Sequence, residues 1–151
     1  MIVALAADAA GVEVKADLIK FLTKKGIKHI DFGAHNADPS DYPDFAFAAA
    51  RAVQGGQSDF GVLICGTGIG MSMVANKLKG IRCAHCTCEF SAAATREHNN
   101  ANMIALGARI SGKEAIIKFV DIFLSTPFST EERHIRRVNK IAKIENDGEI
   151  V

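Results

Sequence analysis

Runs of apolar residues alternate along this chain with segments in which apolar side chains return every third or fourth position. Residues 2–7 form a continuous apolar run, the pattern of a strand buried on both faces. Gly11 opens a segment whose Val14, Leu18 and Leu22 recur at helical spacing, and Lys24, Lys25 and Gly26 supply a basic last turn and a stop. A second strand is expected over 27–32, then a turn-rich loop over 33–43 and a helix over 45–53 ending at Gly55 and Gly56. A strand over 60–65 and a helix over 69–78 follow, then a strand over 81–86, a helix over 89–98 and a strand over 103–106. Ile116, Phe119, Val120, Phe123 and Leu124 trace the clearest helical stripe of the chain. A basic helix over about 130–144 comes after the break at Pro127.

Strand–helix repetition of this kind implies right-handed crossovers and a parallel sheet covered on both faces. No linker, internal repeat or second domain interrupts it, so one α/β domain over 1–151 is expected. Open sheets of this type bind ligands beyond the carboxyl ends of their strands. The places to search are therefore Asp8 and the segments 33–43, 65–70, 87–89 and 107–109.

Composition narrows the function classes. At 151 residues the chain can bury roughly 70% of its unfolded surface, enough for a self-sufficient core. With 48% hydrophobic and 23% charged residues, it is neither disordered nor low-complexity. A net charge of +1 argues against broad capture of nucleic acid or an anionic membrane. No apolar stretch approaches bilayer length, and the first residues lack a basic signal-peptide start, so a cytoplasmic location is expected. The four cysteines are then expected to be reduced.

The strongest local signal is Cys65-Gly66-Thr67-Gly68-Ile69-Gly70, between a strand and a helix. Alternate glycines let backbone approach a ligand closely, and exposed N–H groups at a helix start attract negative charge. A ligand-free tight turn would look similar. Cys65 tips the balance, because amides beside its sulfur would stabilise a thiolate. A dinucleotide site fits poorly: the spacing is G-x-G-x-G, and it lies on the third strand–helix unit rather than the first.

Other candidates are weaker when taken singly. Asp8 ends the first strand and reads as a cap for the next helix. His98 lies in a polar knot, Arg96-Glu97-His98-Asn99-Asn100-Ala101-Asn102, whose three asparagine amides need partners. Arg133 and Arg137 stand four apart and share a helix face able to grip a dianion, whereas His134 reads as a surface residue. Arg109 follows the fifth strand and is a separate phosphate candidate. Cys83, Cys86 and Cys88 invite a metal reading, but strand alternation puts Cys83 and Cys86 on opposite faces and no second ligand pair appears, so no metal is expected.

Together these segments resemble the ribose-5-phosphate isomerase B and galactose-6-phosphate isomerase family over nearly the whole chain. The resemblance rests on Asp8-Ala9-Ala10-Gly11, Asp41-Tyr42-Pro43, Ile64 with the Cys65 loop, Ala75-Asn76-Lys77, Gly80-Ile81-Arg82, the His98 knot, Leu106-Gly107-Ala108-Arg109 and Arg133-His134-Ile135-Arg136-Arg137-Val138. It implies a three-layer Rossmann-like fold with a five-stranded parallel sheet and a C-terminal helix. It also implies a homodimer, or a tetramer built from it, whose active sites use residues of both subunits. The implied reaction is aldose–ketose interconversion of a phosphorylated sugar, with no metal or organic cofactor. By that likeness Cys65 is the base between C1 and C2, and Thr67 hydrogen-bonds the reacting oxygens. Amides of Gly66, Gly68, Ile69 and Gly70 hold the enediolate. His98 is the ring-opening acid/base, oriented by Asp8 or Tyr42, and Asn99 binds substrate. Arg109, Arg133 and Arg137 bind the phosphate, with Arg109 reaching across the dimer.

One position departs from the family. Ala9 stands where the family commonly has a histidine that contacts the phosphate end, which implies a changed substrate: a ribose 5-phosphate type sugar, or a related hexose or tetrose phosphate. Competing readings are a non-catalytic sugar-phosphate-binding module, one subunit of a hetero-oligomeric isomerase, and a cysteine hydrolase using Cys65 and His98.

Overall fold

The computed structural model describes residues 1–149. Its elements, in chain order, are β1 (Ile2–Ala7), α1 (Val12–Lys24), β2 (Lys28–Asp31), α2 (Tyr42–Gln54), β3 (Phe60–Cys65) and α3 (Ile69–Ala75). They continue with β4 (Cys83–His85), α4 (Glu89–Glu97), β5 (Met103–Gly107), α5 (Lys113–Ser125) and α6 (Glu132–Asp147). The sheet is parallel, in the order β2-β1-β3-β5-β4. This is the expected α/β architecture: a five-stranded parallel sheet between two helical layers, with a C-terminal helix.

Alternation along the strands divides the core. Val3, Leu5, Ala7, Val62, Ile64, Ile104 and Leu106 face one layer, where they meet Leu18 and Leu22 of α1, Ala92 of α4 and the apolar stripe of α5. Ala4, Ala6, Leu63, Cys65, Met103 and Ala105 face the other layer, formed by α2 and α3. Ala46, Ala49 and Ala50 let α2 lie close against that face. Chain order doubles back between β1 and β3, so their carboxyl ends flank the crevice that such sheets leave open.

Boundaries differ from the periodicity where side chains replace backbone partners. Helix α2 begins at Tyr42 rather than 45, because Pro43 sits in its first turn, where a missing N–H costs nothing. Strand β4 shrinks to Cys83–His85. Ahead of it, the Ile81 N–H bonds to Leu78 O at 3.1 Å, and the Arg82 N–H donates to Asn102 Oδ1 at 2.8 Å. On the open side of β4 the Asn76 side chain takes the Cys83 N–H (2.8 Å) and donates to the Cys83 carbonyl (2.7 Å), as a neighbouring strand would. That use of Asn76 also ends α3 before the expected residue 78.

The asparagine run is a scaffold. Asn100 adopts φ 46°, and its side chain accepts from Arg96 at 2.8 Å, while Arg96 also donates to the Ala101 carbonyl at 2.6 Å. The Arg96 guanidinium lies 4.8 Å above the Phe60 ring and 5.8 Å from that of Phe123. Arg96→Ala removes the stacking and orphans a buried carbonyl, and is expected to cost about 2–4 kcal/mol. Urea unfolding should show that loss as a lower midpoint, with Arg136→Ala on the exposed helix face changing stability by less than about 0.5 kcal/mol.

Candidate active site

Strand β3 delivers Cys65 to the crevice with its side chain 5% exposed. The chain then turns through Gly68, whose φ of 81° suits glycine, so that the Gly68 N–H points back at the Cys65 sulfur, 3.0 Å away. Thr67 is exposed at the loop's tip, its hydroxyl accepting the Ile69 N–H at 3.3 Å. Ile69 is also exposed.

Two backbone bonds strap this loop to the end of β5. The Ala108 N–H donates to Cys65 O at 2.8 Å, and the Arg109 N–H donates to Gly66 O at 3.0 Å. The three loop glycines then accommodate three different side chains. A Cβ at Gly66 would lie 3.4 Å from the Arg109 guanidinium, one at Gly68 would strike the His85 ring at 2.8 Å, and one at Gly70 the Tyr42 ring at 2.7 Å. Arg109 thus lies over its own chain's loop, where the strap fixes its backbone.

Asp8 leaves β1 beside this loop. Its carboxylate accepts the N–H groups of Ala10 (2.9 Å) and Gly11 (3.2 Å), a side-chain turn that leads into α1 rather than capping its first residue. Only glycine fits at 11, where a Cβ would come within 2.4 Å of the Ile64 carbonyl oxygen. Ala9 is half-buried in the same turn. The loop leading to Tyr42 is anchored by Lys15, 3% exposed, which pairs with Asp31 and donates to Ala34 O at 2.7 Å.

His98, Asn99, Arg133 and Arg137 gather elsewhere. Helix α4 runs back from the carboxyl edge, so His98 at its end sits at the amino edge, just before β5. The Ser129 N–H bonds to Glu97 O at 3.0 Å and brings the start of α6 to the same corner. Within one chain the two groups are separated by the length of β5, roughly 15 Å. His98 is half-buried; Asn99, Arg133 and Arg137 are exposed, and the Arg133 Nε donates to Glu131 at 2.6 Å.

Two histidines depart from expectation. His134 is not a surface residue: it is 4% exposed, and its ring lies 4.5 Å from that of His98 at a 40° tilt. Helix spacing alone could not show this, because the ring it meets arrives from the end of α4. Burial first, then the neighbouring His98 and Arg133, hold the His134 imidazole below its ordinary pKa. His85, which drew no attention in the sequence, is exposed and lies against Gly68; alternation from Cys83 puts it on the Cys65 face of the sheet.

The cysteines near β4 do not form a centre. Cys83 packs towards α2 and α3, while Cys86 lies in the opposite cluster, as alternation predicts. Burial pushes the Cys83 thiol well above its usual range. Cys88 is exposed at the start of α4, where the Ser91 hydroxyl lowers its thiol pKa. Among the described residues no group of three or more His, Cys, Asp or Glu is placed to hold a metal ion. No described helix is long and apolar enough to cross a membrane.

Comparison with known proteins supplies the frame for this geometry. The family model described as Ribose/Galactose Isomerase matches residues 3–141. This chain belongs to that family. It is 46% identical over 146 residues to the putative sugar phosphate isomerase YwlF of Bacillus subtilis, covering 96% of this chain and 97% of that one. It is 40% identical over 130 residues to the D-erythrulose-4-phosphate isomerase of Pectobacterium atrosepticum, covering 83% and 84%. The solved structure of Clostridium thermocellum ribose-5-phosphate isomerase B superimposes with a TM-score of 0.95 at 43% identity, over 99% of this chain and all (100%) of that one. The Ribose/Galactose Isomerase likeness therefore spans both edges of the sheet.

The His134 environment has a consequence for stability. Its folded pKa lies below the ordinary 6.5, so unfolding takes up a proton in that window, and stability falls as pH drops through about 6.5. His134→Phe is expected to flatten that part of the profile in urea unfolding measured across the range.

Proposed function

We propose that this protein is a sugar-phosphate aldose–ketose isomerase in which Cys65 shuttles a proton between C1 and C2 through an enediolate. The observation that carries the reading is the Gly68 N–H directed at the Cys65 sulfur, within a loop whose glycines make room for Arg109, His85 and Tyr42. Taking a proton from carbon needs a base placed beside it and fixed donors for the oxygen that becomes negative. Cys65 serves as the first, and the amides of Gly66, Gly68, Ile69 and Gly70 with the Thr67 hydroxyl serve as the second. Asp8, Ala9 and Tyr42 border the sugar. No cofactor takes part.

His98 and Asn99 act on the sugar ring, and Arg133 and Arg137 bind the phosphate dianion together with Arg109. The corner that carries His98, Asn99, Arg133 and Arg137 stands at the opposite edge from Cys65, so it serves a second copy of the chain. The working unit is a homodimer with two composite sites, each pairing one protomer's Cys65 loop with its partner's amino-edge corner. The substrate is a ribose 5-phosphate type sugar or a hexose or tetrose phosphate. Ala9, smaller than the family's histidine, and the likeness to an erythrulose-4-phosphate isomerase both favour a range beyond pentoses. The free thiols at 65, 83, 86 and 88 suit the cytoplasm.

Cys65→Ala is expected to lower kcat by about a thousandfold or more while substrate affinity stays within a few-fold. Solvent deuterium should no longer enter C2. Unchanged turnover would remove Cys65 as the base, and turnover by neither protein would leave a binding module. Mixing inactive Cys65→Ala and His98→Asn proteins, with subunit exchange, is expected to restore roughly a quarter of the activity, because each mixed dimer holds one intact site. No restoration would rule out sites shared between subunits.

A further inference from the structure

His134 is walled in at the first turn of α6 while Arg133, Ile135, Arg136 and Arg137 around it are exposed. Its Nδ1 is buried without a hydrogen-bond partner among the described residues, and its ring face lies against His98. A buried polar atom of this kind calls for an explanation beyond packing. The charged groups around the pair come from both elements that meet there. From α4, Glu97 places a carboxylate oxygen 3.7 Å from His98 Nε2. From α6 and its lead-in come Glu131, Arg133 and Arg137, the first two bonded to each other. An arginine on each side along its own helix and a second imidazole on its face disfavour a charge on His134.

We propose that His134 is a positioning residue for His98: a buried imidazole packed on its face that fixes the plane of the ring that opens the sugar. The inference rests on the role given to His98 above. In that step a proton leaves the anomeric hydroxyl and its O–H electrons become the second bond of C1=O. The C1–O4 bond breaks towards O4, which takes up a proton, so no net proton is gained or lost. A ring that gives and receives protons in one turnover must keep its nitrogens aimed at the sugar, and a fixed neighbour packed on its face holds its plane. Proton transfer at C2 belongs to Cys65 and needs no help from His134.

The test separates the two steps. Net conversion of ribose 5-phosphate requires ring opening. Ribulose 5-phosphate is acyclic, because its only hydroxyl spaced to close a ring carries the phosphate. Its C1 deuterium exchange from solvent therefore reports proton transfer alone. In the full-length protein, His134→Phe is expected to slow net conversion of ribose 5-phosphate by about tenfold or more while exchange into ribulose 5-phosphate stays within about twofold. His98→Asn should show the same split more strongly. If the phenylalanine protein fails to assemble, His134→Gln must show the split.

Nitrogen chemical shifts of the His98 imidazole, read without substrate, should move in His134→Phe. Equal loss of conversion and exchange, loss of neither, or an unmoved His98 ring would each overturn the proposal. A split absent in His98→Asn as well would overturn the role of His98 and this proposal with it. A split present in His98→Asn but absent in His134→Phe would overturn this proposal alone.

Discussion

The backbone bond from Gly68 to the Cys65 sulfur organises the rest of the molecule around it. It requires a left-handed turn that only a glycine takes without strain, a strand that ends at Cys65, and a second strand strapped alongside so that the loop cannot open. Each requirement is met by a different part of the chain. Strand β5 supplies the strap through Ala108 and Arg109, and β4 supplies the ring that closes over Gly68. Helix α2 supplies Tyr42 over Gly70. The sulfur is therefore shielded by packing yet keeps polar contacts, the condition under which fixed dipoles act most strongly on a developing charge.

A parallel sheet has two edges, and this chain has equipped both. The carboxyl edge carries the sulfur and the loop amides; the amino edge carries His98, Asn99 and two arginines. Neither edge is a complete apparatus for a phosphorylated sugar. On the homodimeric reading proposed above, activity would depend on association, and each half would be built on rigid elements. The Arg96–Asn100 scaffold holds the amino-edge corner as firmly as the β5 strap holds the other.

Much of this could be read before any coordinates. Alternation placed the strands and assigned Cys83 and Cys86 to opposite faces, and the Cys65 loop announced itself through its glycines. The amino-edge position of His98 was implicit as well, since it precedes β5. What escaped was information carried by contact between distant segments. His134 has the neighbours of a surface residue in sequence, and its ring meets that of His98, which arrives from the end of α4. His85 shows no motif, and matters because Gly68 lacks a side chain. The early start of α2 and the brevity of β4 followed from a proline in a tolerated position and from side-chain amides standing in for backbone.

The last of these substitutions bears on the molecule's life in a crowded solution. Strand β4 is an outer strand, and a bare outer strand is a template on which a foreign chain can extend the sheet. Asn76 occupies that template with both a donor and an acceptor, at Cys83, the first of the three residues of β4. A side chain that cannot propagate a ladder thus occupies the backbone groups a foreign strand would need at Cys83, without spending a strand on it.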